Sequence, residues 1–130
     1  WTSPLVVQEG KVYRIRMINA GNTIFAMHLH GHHMLVTHKD GVILTSPYWV
    51  DTILLGPSER YDLYMKADNP GMWDFHDHTG GHTQNDNIFP GGAMTMLCYQ
   101  GLPKCEAGHD HMHMSSHSGD LIGWDPRVLP

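Results

Sequence analysis

Turn-forming residues interrupt this chain at short intervals from its start to Tyr99. That spacing leaves room for short strands and excludes long helices. Leu5 to Gln8 and Lys11 to Asn19 are parted by Glu9-Gly10, and the second run alternates Tyr13, Ile15 and Met17 with Val12, Arg14 and Arg16. Ala20-Gly21-Asn22 ends it. Ile24 to His30 and His33 to His38 follow, divided by Gly31, and Asp40-Gly41 is a hairpin signal. Trp49 to Leu55 reads as a strand stopped by Gly56-Pro57, and Arg60 to Ala67 as the next. Asn69-Pro70-Gly71 turns the chain into Met72 to His78, and Ala93 to Tyr99 closes the set. Residues 79–91 form one long irregular connection, a length often tied to function. No segment carries a helical period with caps. The pattern predicts an all-β fold, an antiparallel sandwich.

A chain of 130 residues is one domain's worth. Its composition, 41% hydrophobic and 16% charged, suits a packed core. The sequence divides into a sandwich over residues 1–102 and a tail over residues 103–130, poor in core formers. A net charge of -5 without a basic run argues against nucleic acid. No stretch approaches the ~18 apolar residues of a membrane span. Trp1-Thr2-Ser3-Pro4 does not read as a signal peptide, so the chain is expected to be a mature form or a fragment. Cys98 and Cys105 allow either a disulfide over a short loop or two free thiols.

Histidine is the compositional outlier, with 12 residues. Two pairs stand out: His28-Leu29-His30, inside Met27-His28-Leu29-His30-Gly31-His32-His33, and His76-Asp77-His78, inside Trp73-Asp74-Phe75-His76-Asp77-His78-Thr79-Gly80-Gly81-His82. On a strand, alternate side chains share a face, so each pair aims two imidazoles at one spot. Imidazole suits copper, zinc, iron and nickel. A lone strand histidine is more often a surface or hydrogen-bonded residue. Two convergent pairs in one small domain are hard to explain that way. His32, His33 and His38 carry a weaker signal.

These residues and their order resemble a cupredoxin domain of the multicopper oxidases, most closely the C-terminal one, from about Ser3 to Gly101. Ser3-Pro4-Leu5 with Glu9-Gly10, Arg14-Ile15-Arg16-Met17-Ile18-Asn19, Val50-Asp51-Thr52 and Gly56-Pro57-Ser58-Glu59-Arg60-Tyr61-Asp62 carry the likeness. Ala67-Asp68-Asn69-Pro70-Gly71-Met72-Trp73, Gly91-Gly92-Ala93-Met94 and the two histidine pairs complete it. The resemblance implies a Greek-key, cupredoxin-like sandwich with copper as cofactor. It makes His28 a type 2 ligand and His30, His76 and His78 type 3 ligands of a trinuclear cluster. The other four histidines of such a cluster come from another domain, so the expected partner is a second cupredoxin domain or identical chains, as in a trimer. Dioxygen and an unidentified electron donor are the implied reactants. The chain is expected to act as an oxidoreductase only in such an assembly. The family and the possible disulfide imply a periplasmic or extracellular location.

The type 1 copper site is where the chain departs from the family. The family's first type 1 histidine lies three residues before His28, at Phe25 here, and the type 1 cysteine falls at Asp77. Only His82 and Met94, a candidate axial ligand, keep the pattern. A blue site needs its thiolate, so none is expected in this domain. A carboxylate at position 77 faces the interior and needs a partner. Either it pairs with His82, or Asp77, His82 and Met94 hold a metal together. The pair is favoured because that mixture of hard and soft ligands suits no one metal. His32 is carried as a weaker ligand candidate. The tail residues His109, His111 and His113, interleaved with Met112 and Met114, either take up copper or belong to a solvated terminus. Two other classes compete with the oxidase domain. A copper carrier would use the tail as a loading arm, though it would not need four cluster-type histidines. A zinc hydrolase of metallo-β-lactamase type would need an aspartate where His32 stands, and helices that the pattern lacks.

Overall fold

The computed structural model describes residues 3–102 and Cys105. The tail histidines His109, His111 and His113 lie outside the described residues. Nine strands run through the described part: β1 (Leu5–Val7), β2 (Val12–Ile18), β3 (Phe25–Leu29), β4 (Met34–Lys39), β5 (Val42–Val50), β6 (Thr52–Leu55), β7 (Arg60–Lys66), β8 (Met72–Asp77) and β9 (Met94–Tyr99). They form a Greek-key sandwich. One sheet has the order β1-β9-β8-β3-β6 and the other β2-β7-β4-β5. The chain crosses repeatedly from one sheet to the other, which is why sequence neighbours such as β2 and β3 lie in different layers. Only β1 and β9 pair in parallel.

Period-two alternation decides what each strand buries. From the four-stranded sheet, Met17, Met34, Val36, Leu63 and Met65 face inward; from the other, Leu29, Ile53, Leu55, Phe75 and Leu97 meet them. Arg14 and Arg16, on the opposite face of β2, are exposed. Asp40 and Gly41 both adopt left-handed backbone (φ 52° and 83°), as a two-residue hairpin between β4 and β5 demands. Cys98 and Cys105 are joined in a disulfide, which settles the alternative left open by their spacing. Among the described residues no helix is long and apolar enough to cross a membrane.

One expected strand is divided. Trp49 to Leu55 is not continuous: β5 starts at Val42 and ends at Val50, and β6 starts at Thr52 in the other sheet. Pro47 and a mostly exposed side-chain pattern hid the first part of β5. An edge strand tolerates such a proline because one row of its amides needs no ladder partner, and the β4–β5 register shifts between Val36 and His38, across from this stretch.

Glu59, in the turn between β6 and β7, ties that turn to β4. Its Oε2 accepts the Gly56 N–H at 2.7 Å, and its Oε1 lies 2.6 Å from Lys39 Nζ. The hydrogen bond from Lys39, then that from Gly56, holds this carboxyl below the usual glutamate range against a small effect of burial. A carboxyl whose folded pKa is depressed stabilises the fold above its unfolded pKa and loses that contribution as pH falls through the folded value. Glu59→Gln should therefore lower stability at neutral pH, with the gap to wild type closing as pH drops below the ordinary glutamate range. Urea unfolding at a series of pH values checks this; a gap that stays constant with pH would exclude the charge as its source.

Candidate metal centre

β3 lies between β8 and β6. Its register sets His28 opposite His76 on one side and Thr52 on the other. Leu29, Phe75 and Asp77 face the core and are buried. The alternating positions His28, His30, His76 and His78 therefore meet on the outer face of the five-stranded sheet. Their four imidazoles form a near-square. Ring centroids are 4.7 Å apart for His28–His30, 5.1 Å for His30–His76, 4.6 Å for His76–His78 and 4.9 Å for His78–His28. The diagonals are 6.3 and 6.4 Å. Ligating nitrogens of His28, His30 and His78 all lie within 4.8 Å of one another. The Nε2 atoms of His30 and His76 are 3.0 Å apart.

Neighbouring groups orient these rings. His28 Nδ1 lies 3.1 Å from the Asp51 carbonyl and 2.8 Å from Thr52 Oγ1. A carbonyl only accepts, so Nδ1 carries the proton and Nε2 keeps its lone pair. His76 Nδ1 likewise donates to the Asp77 carbonyl at 3.0 Å, so His30 Nε2 donates the proton in the contact between the two Nε2 atoms. Donation from the second ring nitrogen to a carbonyl is the usual setting of a metal-bound histidine. Partial burial comes first among the causes that hold His30 below the ordinary imidazole value; His28, His76 and His78 act in the same sense and Asp74 against it. Four imidazoles gathered on one face are a donor set that suits copper.

The turn after His30 is fixed by close packing. Gly31 has φ 69°, and a Cβ there would lie 2.6 Å from the Trp73 ring. Trp73 Nε1 donates to the Asn69 carbonyl at 2.8 Å, and Asn69 Nδ2 donates to the Gly31 carbonyl at 3.0 Å. His32 does not join the square. It is buried, its Nδ1 donates to the His30 carbonyl at 3.0 Å, and its Nε2 accepts from the Tyr99 hydroxyl at 2.7 Å. Both ring nitrogens are occupied, so it acts as a brace behind His30 and has no lone pair for a metal. Tyr99 also accepts the Asn69 N–H at 3.1 Å. Position 32 drew attention only as a histidine. Its partner is 67 residues away, and no local spacing points to it.

Asp77, His82 and Phe25 meet inside the sandwich, and Met94 does not join them. The Asp77 side chain is fully buried. Its Oδ1 accepts the Ala26 N–H at 2.5 Å; its Oδ2 accepts from His82 Nδ1 at 2.6 Å and from the Thr79 hydroxyl. Burial pushes this carboxyl up, but the donors Thr79, Ala26 and His82 outweigh it and leave it below the ordinary aspartate range. The Phe25 ring lies 4.8 Å from that of His82. Met94 is registered opposite His76, on the outer face. A ligand set of Asp77, His82 and Met94 is therefore not assembled, and the pair of Asp77 with His82 is. With Phe25 and Asp77 where a thiolate site has histidine and cysteine, and with His82 Nδ1 already bonded, these residues do not fit a type 1 copper.

A cupredoxin-type sandwich with a square of outward imidazoles defines a class, and comparison with known proteins names the family. Residues 1–89 match the multicopper oxidase family, and the chain belongs to it. Copper is the metal of that family. The multicopper oxidase MmcO of Mycobacterium tuberculosis is 48% identical over 61 residues, 46% of this chain and 12% of that protein. A laccase of Neurospora crassa is 33% identical over 101 residues, 74% of this chain and 16% of that protein. Among solved structures, the multicopper oxidase mgLAC is 44% identical with a TM-score of 0.75, covering 97% of this chain and 37% of that one. The blue copper oxidase of Nitrosomonas europaea is 43% identical with a TM-score of 0.74, covering 88% and 34%. The chain thus spans well under a fifth of these curated relatives and about a third of these solved ones.

Tyr99→Phe should leave His32 Nε2 and the Asn69 N–H without a buried partner, at a cost of about 1–3 kcal/mol. Chemical denaturation measures this. A change within error of zero would mean that the hydroxyl does not brace His32.

Proposed function

We propose that this chain supplies half of a trinuclear copper site of multicopper oxidase type, through His28, His30, His76 and His78. The observation that carries the reading is the square of imidazoles on the outer face of the five-stranded sheet, away from the chain's own core. Four histidines are half of what such a cluster takes. The remaining ligands come from a second cupredoxin domain, on the same polypeptide or on a neighbouring copy in an oligomer such as a trimer. The share of its solved relatives that this chain covers leaves room for that domain. Copper bound there would supply the one-electron couple through which dioxygen is reduced to water. This chain's part is to hold the ligands. Asp51 and Thr52 fix the His28 ring, the Asp77 carbonyl fixes His76, and His32 steadies the backbone at His30.

Electrons cannot enter through a type 1 copper in this domain, because the thiolate position is an aspartate in a closed hydrogen-bonded group. The partner domain must receive them from the reducing substrate, which stays unassigned here. The disulfide Cys98–Cys105 supports a compartment outside the cytoplasm.

Metal analysis on the native full-length assembly should find several coppers per cluster and oxygen consumption with a suitable donor. His78→Ala should lose cluster copper and oxygen reduction together. Asp77→Asn should leave any intense thiolate-to-copper colour unchanged, since that colour would arise in the partner domain. Full copper content in His78→Ala would overturn the assignment.

A further inference from the structure

The methionines of the sandwich fall on two sides of it. Met17, Met27, Met34 and Met65 pack in the core between the sheets. Met72, Met94 and Met96 do not. β9 turns Leu97 and Tyr99 into that core, and β8 turns Trp73 and Phe75 into it. Alternation then puts Met94 and Met96 on the outer face, together with Met72, Asp74 and His76 of β8. Met72 is 38% exposed, and Met94 and Met96 are half-buried.

The β8–β9 register fixes the layout of this strip. Met94 lies opposite His76, Met96 opposite Asp74 and Met72 opposite Cys98. On one face of a ladder, directly opposite Cβ atoms are about 5 Å apart and diagonal ones somewhat under about 7–8 Å, within reach of long side chains. Met94 and Met96 are neighbours along one strand, and Met96 is diagonal to both Met72 and His76. Three thioethers thus share a strip with the imidazole of His76 and the carboxylate of Asp74.

Thioether sulfur is a soft donor that selects copper(I). A methionine side chain is unbranched and has three rotatable bonds, so neighbouring sulfurs can close on one ion without a shift of the backbone. Asp74 sets a negative charge in the strip, which favours a cation there. The strip lies on the side of the sheet away from the core, so filling the interior does not account for methionine at these positions.

We infer that Met94 and Met96 form a binding site for a cuprous ion at the edge of the imidazole square, with Met72 as a third thioether donor. The site goes beyond the shared cluster, because it needs only this chain's own residues. An ion held there stands one cross-strand step from His76. Its role rests on the shared-cluster reading: the strip is where copper passes to the square in reduced form, from sulfur to nitrogen with no change of oxidation state.

The test uses the native full-length protein, copper-loaded and with isotope-labelled methionine methyl groups. Silver(I) is the probe, a soft ion with the charge of copper(I) that leaves the oxidation state of the bound copper unchanged. Its addition should shift the methyl signals of Met94 and Met96 saturably, each signal being identified by its loss in Met94→Leu or Met96→Leu. Leucine matches methionine in volume, so the double variant Met94→Leu, Met96→Leu should stay folded by circular dichroism. In it, the silver(I) concentration that half-shifts the Met72 signal should rise by about tenfold or more. Met94 and Met96 signals that stay still while silver binds elsewhere would overturn the site. If those signals are also shielded from a dissolved paramagnetic reagent, the methionines are packing against another domain. An unchanged Met72 response in the double variant would overturn the proposal too. The cluster reading fails separately: His78→Ala that keeps its full copper sinks the cluster and leaves the thioether site standing.

Discussion

Pairing His28 with His76 across the β3–β8 ladder sends both imidazoles to the same side of the sheet. Everything else about the site depends on that register. Strand periodicity then brings His30 and His78 to the same face, and it turns Leu29, Phe75 and Asp77 to the other. A slip of β3 by one residue would bury His28 and His30 in an apolar core and expose Leu29, and a slip of β8 would do the same to His76, His78 and Phe75. Core packing therefore enforces the metal-site geometry. The buried neighbours Leu29 and Phe75 lock the ladder, and the histidines inherit their positions from it. That explains how a square of four rings forms on an open face with little packing of its own.

Much of this was legible because it is local. Two residues apart on a strand means one face, so each histidine pair was readable without knowing where β3 and β8 run. The bringing together of the two pairs was not readable from spacing, and came only from the resemblance. His32 shows the limit. Two residues after His30 it would share a face with it on a continuing strand, but Gly31 takes a left-handed conformation and turns the chain there. The ring is diverted inward to Tyr99. Met94 shows the same limit from the other side: the resemblance marks it as a candidate axial ligand, but the register with β8 sets it opposite His76 rather than Asp77. The division of β5 from β6 was hidden because an edge strand with Pro47 and exposed side chains lacks the burial signal that marks a strand.

Asp77 was expected to need a partner, and the reason is energetic. An ionised carboxylate taken out of water without donors would cost far more than a small domain can absorb. Here three donors converge on it, from Ala26, Thr79 and His82. They come from β3 and from the connection after β8, so the carboxylate ties these two segments together. A thiolate-bound copper can exchange an electron; a carboxylate held by an amide, a hydroxyl and an imidazole cannot.

In the shared cluster proposed above, an aspartate at position 77 bears on how the domain would divide labour with a partner. A cluster that reduces dioxygen must be fed electrons, and the shortest covalent feed would have run through residue 77 to the histidines on either side of it. With an aspartate at position 77, the cluster proposed above would have to be fed from the domain that completes it. The missing thiolate and the half set of ligands would then leave this domain dependent on that neighbour, the one for electrons and the other for ligands.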